Sequence, residues 1–241
     1  VRVTTQVAND SQEDVDLVLV STIVAADGKQ VTSQRQTIHS AAGSVQAVDT
    51  RIRVKAPKLW DVQRPNLYRL TSEVYKGSEL TDAYVTPFGI RSIAWKSDSG
   101  FYLNGENVII LGVCNHHDLG CLGAAVNHRA LQRQLQLLKS MGCNAIRTSH
   151  NPPAPEMLEL CDRMGMLVMD EAFDCWQRGK KWPGSMKETD SDIRFFDYAR
   201  DFADWYERDL RALLRRDRNH PSIIMWSIGN EVIEQWFTDG W

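Results

Sequence analysis

The hydrophobic pattern of the chain changes its period once, and this change limits the folds available to it. From about residue 107 onward, apolar runs of strand length alternate with segments whose apolar residues recur at helical spacing. Strands that alternate with helices in this way are typical of βαβ units and predict a parallel sheet. The four strands are expected at 108–114, 143–149, 167–172 and 222–228.

The first 90 or so residues have a different pattern, in which apolar and polar side chains alternate. Val15, Leu17 and Leu19 follow this period of two, and the turn-forming pair Asp27-Gly28 ends their run. Short strands joined by regular turns predict an antiparallel β-sandwich of immunoglobulin size. Because no cysteine falls in this part, no disulfide would join its two sheets.

The length of the second part leaves two architectures open. A complete (β/α)₈ barrel needs about 250 residues, and the whole chain has only 241. The residues after Asn107 suffice for four strands and three helices, which form either a small open α/β sheet or the first half of a barrel. We therefore expect a multidomain β plus α/β chain, with a sandwich over 1–90, a connecting hairpin over 91–106 and the α/β domain over 107–241. Since the chain begins at Val1 without an initiator Met, we also expect it to be a fragment or a processed chain.

Composition and charge exclude several classes of partner. The content of 43% hydrophobic and 24% charged residues is that of a globular protein. A net charge of −3 provides no basic surface for nucleic acid, and no apolar run approaches the roughly 20 residues that a membrane span needs. We therefore expect neither nucleic acid nor membrane as a partner. The five cysteines have no zinc or redox spacing; Cys114, Cys143 and Cys161 lie in apolar segments and are expected in the core. Nothing here indicates a compartment.

Polar side chains follow all four predicted strands. The last strand breaks at Gly229 and is followed at once by Asn230 and Glu231. A carboxylate at the end of a buried strand costs free energy unless it is paired or used, and α/β barrels perform catalysis at this end. Glu231 is therefore a candidate catalytic residue; the alternative is a structural Glu paired with an arginine from a neighbouring strand. The other strands end in a similar set, which comprises His116, His117, Asp118, Arg147, His150, Asp170, Glu171, Asp174 and Trp176.

The residue types at these strand ends narrow the chemistry. The sequence contains neither a Gly-rich phosphate loop nor a G-x-S-x-G nucleophile elbow. His116 and His117 are adjacent on an extended segment and point to opposite sides, which disfavours joint binding of one ion. We therefore expect no metal and no cofactor. The remaining carboxylates, amides, imidazoles and indoles suit sugars, since a pair of carboxyl groups performs glycosidic cleavage.

Several motifs occur in an order that has a family counterpart. They are LWDVQRPNLY at 59–68, FGIR at 88–91, FYLNG at 101–105, GVCNHHD at 112–118, NAIRTSHNP at 144–152, DEAFD at 170–174, RNHPS at 218–222 and NE at 230–231. Together they resemble glycoside hydrolase family 2, which contains β-galactosidases, β-glucuronidases and β-mannosidases. The resemblance covers most of the chain. It implies an immunoglobulin-like β-sandwich followed by the first half, four strands, of a (β/α)₈ TIM barrel.

The resemblance also implies roles for individual residues. Glu231 matches the general acid/base of the family, and Asn230 matches the amide that contacts the sugar beside it. Histidines that line the sugar pocket are matched by His116 and His150. The substrate-binding and supporting set implied by the family is Asn230, His116, His150, Asp170 and Arg147.

The implied activity is hydrolysis of an O-glycosidic bond at a β-linked, non-reducing-end sugar with retention of configuration. A β-galactosidase type is expected, with a β-glucuronidase or β-mannosidase as alternatives within the family. The family's magnesium positions carry residues such as Cys175 and Gln177, so no metal is implied.

The resemblance also implies that the catalytic apparatus is divided. The nucleophilic Glu of the family lies on a later strand, and no residue of 1–241 matches it. Residues 1–241 by themselves are therefore expected to be inactive and to self-associate through the exposed edges of the half-barrel. A non-catalytic carbohydrate-binding or interaction module remains the alternative from a different class.

Overall fold

The computed structural model of the protein describes residues 1–177, 179 and 198–236. These residues form two compact units. The first comprises Val1–Ala94 and Leu103–Glu106, and the second comprises Trp95–Tyr102 and the described residues from Asn107 onward. Within this part of the chain, no helix combines the length and the apolar content needed to cross a membrane.

The first unit is built from antiparallel strands. One sheet pairs β1 with β4, and the other has the order β3-β2-β5-β6. The strand bounds are β1 Arg2–Asn9, β2 Val15–Ala25, β3 Gln30–Ser40, β4 Ser44–Arg51, β5 Tyr68–Lys76 and β6 Glu79–Phe88.

The apolar side chains of these strands alternate as the sequence predicts. On β2, the alternate residues Leu17, Leu19, Ser21 and Ile23 are buried, while Val18, Val20 and Thr22 between them are partly exposed. Ile23 packs with residues from three further segments, Val3, Ile52, Tyr68 and Leu70, in one apolar cluster. Burial of alternate side chains from both sheets is the packing expected of a sandwich.

Three short strands follow the sandwich where a single connecting hairpin was expected. They are β7 Ile93–Lys96, β8 Gly100–Leu103 and β9 Glu106–Asn107, and they form a sheet in the order β7-β8-β9. The additional strand arises because the chain turns back again at Asn104 and Gly105, which both have positive φ angles of 54° and 87°.

The second unit contains a parallel sheet whose four strands lie in chain order, β10-β11-β12-β13. Each neighbouring pair is parallel. The predicted alternation of strands and helices is therefore confirmed. The strand and helix bounds are β10 Gly112–His116, α1 His128–Ser140, β11 Ala145–Ser149, α2 Pro155–Met164, β12 Leu167–Glu171, α3 Ala199–Asp217 and β13 Ile223–Ser227, with 3₁₀ turns at Gly120–Leu122 and Ile233–Trp236.

Local signals explain where α1 and α2 begin and end. The side chain of Asn127 accepts a hydrogen bond from the backbone N–H of Ala130 and thereby caps the first turn of α1. Pro155 occupies the first turn of α2, where its missing N–H costs nothing. Gly165 ends α2 with a left-handed φ of 68°, as predicted from the sequence.

One face of the parallel sheet is covered by α1 and α2. Leu131 and Leu135 of α1 and Leu158 of α2 pack against Ile146 and Val168 of the sheet, and all five are at most 2% exposed. We call the opposite face of the sheet the open face. Because successive strand residues point to opposite faces, Arg147 on β11 lies on the open face, next to Ile146 on the covered face.

Besides shifts of one or two residues at strand ends, the observed parallel strands differ from the expected ones in two respects. The first strand begins at Gly112 rather than at residue 108, because the side chain of Asn144 takes the place of a strand partner: its Nδ2 donates to Ile109 O and its Oδ1 accepts from Leu111 N, both at 2.8 Å. The fourth was expected to be fully buried, but Ile228 is 52% exposed. This follows from its position just past the end of β13, which is an outer strand of the described sheet.

Candidate active site

The carboxyl end of the parallel sheet carries a buried carboxylate, Glu171, at its centre. Glu171 is the last residue of β12 and is 0% exposed. Its Oε2 accepts hydrogen bonds from Nε of Arg147 at 2.7 Å and from the hydroxyl of Ser227 at 2.6 Å. Its Oε1 lies 2.8 Å from Nδ1 of His150. Strands β11, β12 and β13 thus each contribute a group to one polar cluster on the open face.

Arg147 connects this carboxylate to the end of β13. Its Nη2 lies 2.6 Å from Oε2 of Glu171 and also donates to Oδ1 of Asn230 at 2.9 Å. Burial lowers the pKa of Arg147, but the hydrogen bond and negative charge of Glu171 outweigh this and hold its pKa above the ordinary value. The guanidinium is therefore a permanent cation whose planar fork sets the orientation of Asn230.

Cys114 does not lie in the core, although its apolar surroundings in the sequence led us to expect this. Its side chain is exposed, and Nη1 of Arg147 lies 3.8 Å from its Sγ. Cys143 is partly buried, and only Cys161 of the three is fully buried. Because β10 is an outer strand, the open-face position of Cys114 is not covered within the described residues.

The structure brings His116 and His150 together. Their rings meet edge to face with centroids 4.9 Å apart. A carboxylate paired with a guanidinium accepts hydrogen bonds, so Nδ1 of His150 donates to Glu171 and its Nε2 is the ring nitrogen left for other partners. His117 lies elsewhere, with its Nε2 3.0 Å from the carbonyl oxygen of Ala124. The two adjacent histidines therefore diverge.

Asn230 is held from two sides. In addition to the contact with Arg147, its Nδ2 donates to Oδ1 of Asp174 at 3.0 Å. The next residue, Glu231, is exposed and has a left-handed φ of 48°. Glu171, one strand earlier, is a carboxylate that pairs with an arginine from a neighbouring strand.

Asp170 differs from the expectation that it supports the sugar pocket. It is 0% exposed and lies on the covered face, where Thr148 Oγ1 donates to its Oδ1 at 3.3 Å. Burial, followed by the charge of Asp217 and a hydrogen bond with it, raises the pKa of Asp170 to about 7. The neighbouring Arg216 binds Asp217 at 2.6 Å and partly opposes this shift. Asp170 therefore belongs to a buried carboxyl pair beneath the sheet, because strand geometry sends it to the face opposite Glu171.

Sequence reasoning noticed Glu171, Asp174 and Trp176 at the strand ends but gave none of them a role, and it did not identify Ser227. The sequence feature that could have indicated a role for Glu171 was the Asp170-Glu171 pair, since only one of two adjacent strand residues can lie on the open face. Val168 and Met169 are both apolar, so the hydrophobic pattern of β12 does not tell which face is which. Within the described residues, no group of three or more His, Cys, Asp or Glu side chains is arranged to hold a metal ion.

Comparison with known proteins identifies the class that this fold and this strand-end cluster define. The model of the glycosyl hydrolases family 2 TIM barrel domain matches residues 95–238, and a second model of glycosyl hydrolases family 2 matches residues 1–91. The chain therefore belongs to glycoside hydrolase family 2. The predicted architecture, an immunoglobulin-like sandwich followed by part of a TIM barrel, is confirmed.

Individual relatives agree with this assignment. A Bacteroides ovatus protein named β-galactosidase is 50% identical over 232 residues, which are 96% of this chain and 26% of that protein. A putative β-glucuronidase of Formosa agariphila is 42% identical over 211 residues, which are 87% of this chain and 19% of that protein. The crystal structure of a family 2 member from Bacteroides cellulosilyticus superposes with a TM-score of 0.90 at 37% identity and covers 99% of this chain and 29% of that chain. The chain thus spans between 19% and 29% of the length of these relatives.

Proposed function

We propose that the protein to which this chain belongs hydrolyses O-glycosidic bonds at a β-linked, non-reducing-end sugar, with Glu231 as the general acid/base. The observation that carries this proposal is the arrangement at the end of β13. Asn230 is ordered by Arg147 and Asp174, and the exposed Glu231 follows it directly. An accessible carboxyl group beside an oriented amide suits proton transfer to a sugar oxygen.

The other polar groups of the open face fit contacts to sugar hydroxyls. We assign substrate binding to Asn230, His116 and His150, and the orientation of Asn230 to Arg147. Asn230 uses one lone pair of its oxygen and one hydrogen of its amide in the contacts described, so each end retains capacity for a ligand. Asp170 is left out of this set because it lies on the covered face.

The proposed mechanism retains the anomeric configuration. Glu231 protonates the leaving oxygen while a second carboxylate attacks the anomeric carbon, and Glu231 then deprotonates the water that releases the sugar. We assign this nucleophile to a strand beyond residue 241. Residues 1–241 by themselves would then lack activity, because the acid/base has no nucleophile opposite it.

A β-galactosidase type is proposed because the relative from Bacteroides ovatus carries that name at 50% identity. The relative from Formosa agariphila is named a putative β-glucuronidase, which makes the β-glucuronide the alternative substrate. Aryl β-galactosides, β-glucuronides and β-mannosides tested side by side on the full-length protein would decide between them. Absence of turnover on all three would favour a non-catalytic carbohydrate-binding module.

Replacement of Glu231 by Gln in the full-length protein tests the proposal. Without its acid, the variant should hydrolyse substrates with poor leaving groups about 10²- to 10⁴-fold more slowly. Activated aryl glycosides should form the covalent intermediate nearly as fast as before, and azide should partly restore their turnover. Glu159→Gln is the matched control, because Glu159 is an exposed carboxylate on α2 and should leave the rates unchanged. Undiminished hydrolysis of a natural disaccharide by Glu231→Gln would contradict the assignment.

A further inference from the structure

The backbone around Glu231 adopts a conformation that side chains with a β-carbon disfavour. Its φ of 48° lies in the left-handed region, where Cβ approaches the following carbonyl oxygen. Such a residue keeps this conformation only where surrounding contacts hold it. The contacts that hold residues 228–231 therefore also set the place from which the Glu231 carboxyl acts.

Two of these contacts come from a segment that follows a different strand, β12. Nε1 of Trp176 donates to the carbonyl oxygen of Ile228 at 2.8 Å, and Oδ1 of Asp174 accepts from Nδ2 of Asn230 at 3.0 Å. The two bonds flank Gly229 on its two sides along the chain. A β-carbon added at Gly229 would lie 2.9 Å from Nε1 of Trp176, so the indole packs directly on the backbone there.

The side chain of Trp176 is itself held in place by aromatic packing. Its ring stacks on Phe202 of α3 with centroids 6.0 Å apart and an angle of 26° between the planes. Phe202 also packs on Phe173 in the same apolar cluster. Cys175, which lies between Phe173 and Trp176 in the sequence, is 1% exposed. The indole N–H therefore belongs to a side chain that packing holds in place, as is required of a residue that positions another residue.

We propose that Trp176 and Asp174 are positioning residues for the acid/base, and that they act by holding the backbone of 228–230 rather than by binding the sugar. Their effect then falls on the step that needs proton donation. This inference rests on the proposed role of Glu231. It gives a function to Asp174 and Trp176, whose positions after β12 are explained neither by the sequence motifs nor by the contacts of Glu171.

Trp176→Phe in the full-length protein isolates the indole N–H, because phenylalanine keeps an aromatic ring for Phe202 but has no donor. We expect kcat for substrates with poor leaving groups to fall between about 10- and 100-fold, since small misplacements of a catalytic group have effects of this size. Activated aryl glycosides should lose less than about threefold in the glycosylation step, and KM should change less than kcat. The dependence of rate on leaving-group acidity should therefore become steeper.

Two further variants make the test specific. Trp205→Phe is the matched control, because Trp205 is an exposed tryptophan of α3 and should leave the leaving-group dependence unchanged. Asp174→Ala should reproduce the effect of Trp176→Phe, and Asp174→Asn should restore part of the rate because its amide oxygen still accepts from Asn230.

Each result separates the inference from the function on which it rests. An equal loss on activated and poor substrates, or no loss on either, would overturn the positioning role of Trp176. If Glu231→Gln shows the selective loss and Trp176→Phe does not, only the positioning role fails. If Glu231→Gln lacks the selective loss, the proposed function fails first.

Discussion

Asp170 and Glu171 are neighbours in the chain, yet their carboxyl groups lie on opposite faces of the parallel sheet and in different environments. Glu171 is surrounded by donors from Arg147, His150 and Ser227 on the open face. Asp170 lies on the covered face beside a second carboxyl group, that of Asp217. A change of one residue in strand register would exchange these environments.

The contacts of Glu171 predict that its loss disturbs both stability and the site. Glu171→Ala removes the partner of Arg147 from a buried position and should lower the free energy of unfolding by about 3 kcal/mol or more. Urea unfolding of the full-length protein measures this. The exposed pair of Glu159 and Arg163 is the comparison, since Glu159→Gln should change stability by less than about 0.5 kcal/mol. Similar losses from the two substitutions would contradict the central position of Glu171.

The raised pKa of Asp170 predicts a pH-dependent contribution to stability. Its pKa of about 7 lies above the ordinary value of 3.8, so the folded state takes up a proton between these values. The contribution of Asp170 is therefore fully present below pH 3.8, declines as the pH rises, and is lost above pH 7. Asp170→Asn should remove this decline, so that the variant gains stability relative to the parent protein between pH 4 and pH 7.

Thermal unfolding across that pH range, of the parent and of Asp170→Asn, checks the prediction. Asp10→Asn serves as a control, because Asp10 lies exposed in the connection between β1 and β2. A constant stability difference between the parent and Asp170→Asn from pH 4 to pH 7 would show that Asp170 does not titrate there.

The close packing at Gly229 predicts that even a methyl group is harmful. A β-carbon would lie 2.5 Å from Cγ2 of Val232 and 2.9 Å from Nε1 of Trp176. Gly229→Ala should therefore cost about 1–3 kcal/mol of stability and should slow substrates with poor leaving groups most. Gly43→Ala is the contrast: Gly43 has open space but a φ of 63°, so it should cost stability alone. Normal kinetics for Gly229→Ala would show that the loop absorbs the methyl group.

The proposed mechanism predicts the stereochemistry of the product. Retaining enzymes hold their two carboxyl groups about 5–5.5 Å apart, whereas inverting enzymes keep them farther apart to admit water. Proton NMR of the first-formed sugar, recorded before mutarotation, should show the β-anomer. An α-anomer as the first product would exclude the double-displacement mechanism.

The outer strands of the parallel sheet predict the behaviour of a polypeptide limited to residues 1–241. Within the described residues, β10 and β13 each have one strand neighbour, and their free edges are suited to pairing with another chain. Such a polypeptide should self-associate and should not hydrolyse aryl β-galactosides. Light scattering and an activity assay measure both properties. A monomer as active as the full-length protein would refute the proposed division of the catalytic pair.

The class of each half could be predicted from the sequence, because hydrophobic period is a local property. Alternation in β2 and helical spacing in α1 and α2 are imposed by backbone geometry, so the sandwich strands and the helix ends at Pro155 and Gly165 could be predicted. The polar residues at the strand ends could also be recognised in the sequence. They were expected to lie together because parallel strands place all their carboxyl ends at one edge of the sheet. The ordered motifs added the family, which the comparisons confirm.

Which polar residues meet depends on how the strands and helices pack. Both faces of β12 are apolar, so no sequence pattern distinguishes Asp170 from Glu171; the covering by α1 and α2 makes that distinction. Ser227 and Glu171 are 56 residues apart in sequence, as are Asn230 and Asp174, and only strand order brings each pair together. The exposure of Cys114 on β10 and of Ile228 just past β13 likewise depends on the outer position of these two strands. Residue types and hydrophobic periods are local properties of the chain, whereas contacts between residues of different strands follow from packing. The candidate site consists of such contacts.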